Sequence, residues 1–348
     1  MKKIRILAAV LATLLLAELL SACGGKKGLF HKASGIDPQE TIVAVSGQNV
    51  SAEEYLYWLA YECEKLTASR GTIQWDEVIE DDVTYGEYAK RVALKDVIQY
   101  AVCRFVAEKY SITLTQEDRE TLQKNKEADI QRCGGKEGYL RHLAAMGISE
   151  ATHDRINEDR VLQTRLIELG ATKGSPIYPS EEDLASFSQG KEFATVRLIA
   201  LPISGLDEGA REAQQAKLED CVRQIREADD PCAKLAQLSR DLGQTDGETD
   251  QTLDSDAVDS ALMKAVEELE EGEVSDVITT ANAMCVALRR PLDTNAIARE
   301  CFTWALVLAR SQAKVEVSDS YKSLDAGKFY TALVELRKPL LEEAAADK

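Results

Sequence analysis

The sequence has few of the residues from which enzyme active sites and metal centres are commonly built. It contains only three histidines, and none of them follows His153. Cys-x-x-Cys pairs, a Gly-rich phosphate loop and a Gly-x-Ser-x-Gly element are all absent, which removes the usual zinc, redox, nucleotide and serine-hydrolase patterns. His31, His142 and His153 have no cluster of metal-ligand residues beside them. We therefore predict no metal site and no cofactor.

Basic residues are also scarce relative to acidic ones. The chain has 42 Lys and Arg against 60 Asp and Glu, which gives a formal charge of -18. A nucleic-acid partner is excluded because such proteins present a basic surface to the phosphates. The acidic stretch 243–256 lacks the spacing of an EF-hand calcium loop, so we predict a solvated polar loop there.

Beyond the N-terminus there is no second long apolar run, and the first one is short. Lys2, Lys3 and Arg5 precede an apolar stretch from Ile6 to Leu20, whereas a membrane-spanning helix needs about 20 apolar residues. These are the size and flanks of a signal peptide. We predict that residues 1–22 are removed on export.

The end of this stretch, Leu20-Ser21-Ala22-Cys23, resembles the lipobox of bacterial lipoproteins. The resemblance implies that Cys23 is lipidated and anchors the chain to the outer face of the cytoplasmic membrane. An ordinary signal peptide with an incidental cysteine is the alternative. Residues 23–40 show no apolar periodicity, and we predict a flexible tether.

The other cysteines do not form an evident disulfide framework. Seven remain after Cys23, an odd and scattered set, and we predict that most are buried small apolar residues. The sequence also allows one or two disulfides among them. The seven are Cys63, Cys103, Cys133, Cys221, Cys232, Cys285 and Cys301.

The pattern along the chain predicts an α+β multidomain protein. A strand at 41–45, a turn and a capping box at Ser51 open a mostly helical domain over residues 41–175. Prolines and a glycine within 171–180 mark a boundary. Residues 176–292 alternate strands and helices as a compact α+β domain. Residues 293–318 form a returning helix and strand, and 319–348 are a tail of uncertain structure.

The first predicted helix is rich in aromatic residues. Helical spacing assigns some of them to the core, and an exposed remainder could contact unfolded chain segments, because large apolar patches mark interaction surfaces. The aromatic set is Tyr55, Tyr57, Trp58, Tyr61, Trp75 and Tyr85.

The order of these parts resembles the extracytoplasmic foldases of the PrsA and SurA type. The opening stretch Ile42–Tyr55 is similar to their first strand, turn and helix start. Within the α+β domain, Val196–Leu201, Cys232–Asp241 and Gly272–Thr279 are similar to parts of a parvulin-type prolyl isomerase. The resemblance implies a SurA-N-like chaperone domain, built from both ends of the chain, with a parvulin-like domain inserted.

The parvulin-like part departs from the family at its active site. Leu198 and Met284 occupy the positions of two family histidines, Leu262 replaces the aromatic wall, and Asp241 alone stands at a polar position. No catalytic residue set is intact. We expect Leu198 and Met284 to pack against each other as core, and isomerase activity to be weak or lost.

The function implied is that of a membrane-anchored chaperone that binds unfolded or nascent exported polypeptides, in an unknown oligomeric state. The alternative is a surface lipoprotein that binds one specific envelope partner. A solute-binding lipoprotein fits poorly, because such proteins need two α/β lobes around a cleft, and the first 130 residues of the predicted mature chain offer almost no strands.

Overall fold

A computed structural model describes residues 28–346. The predicted signal peptide and Cys23 lie outside this range. No helix within it is long and apolar enough to cross a membrane. The described chain divides into two compact units. We call residues 28–166 with 305–346 the helical unit, and residues 167–304 the α+β unit.

The elements are numbered in chain order. The helices are α1 Leu29–Ser34, α2 Ala52–Arg70, α3 Tyr85–Lys109, α4 Gln116–Arg132, α5 Lys136–Met146, α6 Glu150–Gly170, α7 Glu181–Phe187, α8 Glu208–Arg226, α9 Pro231–Asp241, α10 Ser260–Glu267, α11 Thr294–Gln312, α12 Asp319–Ser323 and α13 Ala326–Ala346. The strands are β1 Thr41–Val45, β2 Gln48–Ser51, β3 Val78–Glu80, β4 Val83–Thr84, β5 Phe193–Pro202, β6 Gln251–Asp254, β7 Ile278–Thr279, β8 Ala283–Arg290 and β9 Val315–Val317. This confirms the predicted fold class, a mostly helical part with an α+β part between its two segments.

Helix starts follow the local sequence chemistry. The Ser51 hydroxyl accepts a hydrogen bond from the Glu54 backbone N–H at 3.2 Å, which satisfies a donor that the first turn of α2 leaves free. Thr115 and Ser180 begin α4 and α7 with reciprocal capping boxes. The helix start predicted at Ser51 is confirmed.

A small sheet joins the two ends of the helical unit. β1 lies between β2 and β9, and Val43 is paired with Val317. Both faces of β1 serve the core in part, because Ile42, Val43 and Val45 are fully buried. The strand predicted at the end of the returning segment is therefore present, and it closes the unit.

The prediction of a flexible tether is wrong for residues 29–36. Leu29 and Phe30 form the buried side of α1, and Phe30 is 1% exposed. A Cβ on Gly147 would lie 2.5 Å from the Phe30 ring, so only glycine fits beneath that ring. A helix of six residues is too short to show apolar periodicity, and its partners are far away in sequence.

The C-terminal tail supplies one of those partners. Residues 319–346 form α12 and α13. Phe329 is 1% exposed and Leu333 is fully buried. The Phe329 ring lies 5.7 Å from the Phe30 ring, centroid to centroid. The tail is thus a structural part of the helical unit.

The α+β unit is an antiparallel sheet with strand order β6-β5-β8-β7. One apolar cluster contains residues of α8 and α9 on one face, and a second contains residues of α10 on the other. The acidic stretch predicted as a loop contributes β6, an edge strand in which Leu253 alone is buried. This strand could not be predicted from the sequence, because Leu253 alone among polar neighbours shows no alternation of apolar and polar residues. The unit covers residues 167–304, whereas residues 176–292 were predicted. Both of its limits fall inside helices, the first within α6 and the second within α11.

Replacing Phe329 with alanine should lower the free energy of unfolding by about 3–5 kcal/mol, the usual cost of deleting a buried ring. Val334→Ala removes a side chain on the same helix that is 44% exposed, and it should change stability by less than about 0.5 kcal/mol. Urea unfolding followed by circular dichroism measures both. Equal effects of the two substitutions would show that α13 does not belong to the core.

Candidate functional site

The four parvulin positions of the α+β unit do not form a common site. Leu198, Leu262 and Met284 are each no more than 9% exposed. Asp241 is exposed at the last residue of α9. None of them lines the cavities of about 820, 680, 560 and 250 Å³ that the described residues form.

The register of β5 on β8 separates the two positions where the family has histidines. Leu198 is paired with Ala287, and Leu201 is paired with Met284. Paired residues share a face and neighbours along a strand alternate, so Leu198 and Met284 lie on opposite faces. Leu198 packs in the cluster that contains Leu262, and Met284 in the cluster of α8 and α9. The expectation that they pack against each other is wrong, because a difference of one residue in register exchanges the faces.

The helical unit has a more open site. A cavity of about 820 Å³ lies between α2, α4, α5 and α6, and a cavity of about 250 Å³ lies between α2, α5 and α13. The two share Tyr57, His142 and Met146, and we call them together the aromatic groove. Leu122 and Val161 also line the larger part, and Tyr61 lines the smaller.

The predicted aromatic set is divided between core and groove. Tyr55, Trp58 and Tyr85 are buried, Tyr57 and Trp75 are half-buried, and Tyr61 is 42% exposed. Trp58 lies at the centre of a group of rings. Its centroid is 5.3 Å from Tyr57, 5.8 Å from Tyr61 and 5.3 Å from Tyr100.

Two further residues hold this ring group. Tyr100 stacks on Trp58 at an interplanar angle of 23°, and the Arg160 guanidinium lies 5.5 Å from the Trp58 centroid. The sequence does not single out either residue, because each lies on another helix than α2 and belongs to no motif. Within this ring group Tyr57 and Tyr61 line the groove and form its floor, and their packing on Trp58 leaves them little rotamer freedom to lose on binding.

Polar contacts hold one wall of the groove. The Tyr139 hydroxyl lies 3.0 Å from Nδ1 of His153, and burial lowers the pKa of His153 below its usual value. Lys126 bridges Glu150 at 2.6 Å and Asp154 at 2.7 Å. His153 therefore has a structural partner, and no metal-ligating cluster occurs in the described part of the chain.

Two buried carboxylates at the start of α2 position α6, which forms this wall. Glu53 accepts hydrogen bonds from the Ser149 backbone N–H at 3.1 Å and from its hydroxyl at 2.7 Å. Glu54 pairs with Arg104 at 3.2 Å, and Arg104 also pairs with Asp159 of α6. Burial raises the pKa of Asp159 to about 6.

The seven cysteines of the described residues are unpaired, and five are buried. Burial raises the pKa of the Cys285 thiol to about 11 and that of Cys103 also to about 11. Such thiols are weak nucleophiles at neutral pH. The prediction that most of these cysteines are buried apolar residues is confirmed.

Among known proteins, several solved structures are similar to this chain. No family model matches the chain, and no curated protein does. The foldase PrsA of Streptococcus pneumoniae is 19% identical, with 74% of this chain and 92% of that chain covered and a TM-score of 0.29. PrsA of Lactococcus lactis is 15% identical, with 84% and 99% covered and a TM-score of 0.30. A structure of the SurA-like chaperones PEB4 and Cj1289 of Campylobacter jejuni is 10% identical, with 80% and 99% covered and a TM-score of 0.22. These are proteins of the type that the sequence motifs resemble.

Restoring histidine at Leu198 and Met284 together should give no gain in X-Pro isomerisation, because the two side chains lie on opposite faces of the sheet. A proline-limited peptide assay measures this, with circular dichroism to confirm folding and the two single variants as controls. Turnover in the double variant that neither single variant shows would contradict the register.

Asp159 should make stability depend on pH in a defined direction. Between pH 4 and 6 the folded chain retains the Asp159 proton that the unfolded chain has released, so the free energy of unfolding falls as the pH rises through this window. Relative to the Asp159→Asn variant, the free energy of unfolding of the parent protein should fall by about 2 kcal/mol between pH 4 and 7. Burial also raises the pKa of Asp96 to about 6, but Asp96 is present in both proteins and cancels.

Urea unfolding at several pH values measures this difference. Glu158→Gln replaces an exposed carboxylate on the same helix and serves as the control, whose offset from the parent should stay constant. A constant offset for Asp159→Asn as well would contradict the burial of its charge.

Proposed function

We propose that this chain is a lipid-anchored extracytoplasmic chaperone that holds unfolded exported polypeptides in the aromatic groove. It would need no metal and no cofactor. The single observation that carries the proposal is the open groove over a rigid floor of aromatic rings in a unit built from both ends of the chain. The order of the two units, as the sequence resemblance predicts it, agrees with this role.

The groove suits a partner without a fixed sequence. Apolar contact is non-directional and scales with the area removed from water, so half-exposed rings such as Tyr57 and Tyr61 can accept many apolar segments. Met146 adds a side chain that adapts its shape to different partners. The two parts of the groove are neighbours, because Tyr57, His142 and Met146 line both of them.

Prolyl isomerisation is not part of the proposed activity. Rotation about a peptide bond crosses a barrier of about 18–20 kcal/mol, and catalysis requires groups that favour the twisted amide in a shaped pocket. Buried Leu198 and Met284 cannot supply polar contacts, and they lie on opposite sides of a sheet. We infer that the α+β unit acts as a folded module without this catalysis.

Anchoring through Cys23 is the remaining part of the proposal. Since α1 begins at Leu29 and is buried in the core, only six residue steps separate it from Cys23. A fully extended chain of that length spans at most about 20 Å. The helical unit would therefore be held close to the membrane surface, where exported chains emerge.

Truncating the groove should weaken chaperone activity without unfolding the protein. We expect Tyr61→Ala and Met146→Ser, singly and together, to reduce the suppression of aggregation of a chemically denatured client several-fold. Light scattering measures this, and thermal unfolding confirms that the variants remain folded. Tyr88→Ala is the matched control, because Tyr88 is also 42% exposed but does not line the groove. The proposal fails if the parent does not suppress aggregation of any client, or if the control loses as much activity.

A further inference from the structure

The hairpin formed by β3 and β4 has a free edge. β3 has only β4 as a neighbour in the described structure, so its other edge carries no strand. Asp81 and Asp82 have φ values of 42° and 62°, which is the conformation of a two-residue turn that matches the twist of a hairpin. Unpaired strand edges readily accept another extended chain.

The hairpin also exposes apolar side chains. Val78 is 57% exposed and Ile79 is 38% exposed, and every residue of β3 is exposed. The pairing register of β3 on β4 shifts between Val78 and Glu80, and both branched apolar side chains are exposed beside the free edge. Such side chains favour strand pairing with a neighbour.

The base of the hairpin is fixed to the helical unit. The Gly86 backbone N–H donates to the Trp75 carbonyl oxygen at 3.0 Å, and the Trp75 ring lies 5.4 Å from that of Tyr330. A Cβ on Gly327 would lie 2.5 Å from Cβ of Trp75. The free edge is therefore held in place before any partner binds, which reduces the entropy cost of binding.

The acidic residues around the hairpin favour a basic partner. Between Arg70 and Lys90 the sequence has no basic residue and six acidic ones. One of these, Glu87, pairs with Lys90. The other five form no ion pair within the described residues, and all are exposed. The five are Asp76, Glu77, Glu80, Asp81 and Asp82.

We propose that the free edge of β3 is a docking site for a basic, extended polypeptide segment, which adds as a third strand to the hairpin. Backbone hydrogen bonds to β3 would hold the segment, Val78 and Ile79 would contact its apolar residues, and the five carboxylates would attract its lysines or arginines. This site is separate from the aromatic groove and does not depend on it.

The test uses the full mature chain and a labelled ten-residue peptide in which lysine alternates with valine and threonine. Fluorescence anisotropy at low salt measures binding. The variant with Glu77→Gln, Glu80→Gln, Asp81→Asn and Asp82→Asn should bind about tenfold more weakly, since each exposed charge pair contributes little and four are removed together. Val78→Thr, which keeps the charge, should also weaken binding.

Three controls separate this site from the alternatives. Neutralising four exposed acids of the α+β unit (Glu208, Glu212, Glu268 and Glu271, each to Gln) should leave the affinity unchanged, and so should Tyr61→Ala in the groove. A peptide N-methylated at alternate residues should not bind, because it cannot form the strand hydrogen bonds. Equal binding of that peptide, or equal weakening by the distant neutralisation, would overturn the proposal.

Discussion

Two buried carboxylates at the start of α2 are the interactions on which the helical unit depends. Glu53 holds the first turn of α6 through Ser149, and Glu54 reaches α3 through Arg104. Removing the Glu53 carboxylate would leave the Ser149 backbone N–H and the buried Thr152 hydroxyl without this acceptor, which costs more than the net gain from an average hydrogen bond. Because α6 forms one wall of the aromatic groove and α2 forms its floor, the same contacts that stabilise the fold also fix the distance across the groove.

Two opposing effects act on the charged groups of this network. Arg104 contacts both Glu54 and Asp159, and its Nε and Nη2 atoms are buried without a hydrogen-bond partner in the described residues. Burial penalises the ionised form of Asp159, whereas the guanidinium favours it. A buried ion pair of this kind contributes specificity of packing more than net stability. It gives α6 one position relative to α2, which a groove for polypeptide segments requires.

The local parts of the fold could be predicted from the sequence, and the long-range parts could not. Ser51, Thr115 and Ser180 act on residues three positions away, so their helix starts are visible in the sequence. The pairing of Phe30 with Phe329 joins the two ends of the chain, and neither segment shows it alone. The aromatic floor was predicted in part, since Tyr57, Trp58 and Tyr61 share one helix, whereas Tyr100 and Arg160 come from others. The faces of Leu198 and Met284 depend on strand register, which similarity to a family motif does not determine.

Binding of unfolded segments in the aromatic groove can be measured by site-specific photo-crosslinking. A photoreactive side chain is placed at Tyr57 in the groove, at Tyr88 on the same unit outside it, or at Leu292, which is 42% exposed in the α+β unit, and each protein is illuminated with a denatured client. We expect crosslinks from position 57 that an excess of unlabelled unfolded chain removes, and background levels from the other two positions. Equal crosslinking from all three positions, or crosslinking at position 292 alone, would show that clients bind elsewhere.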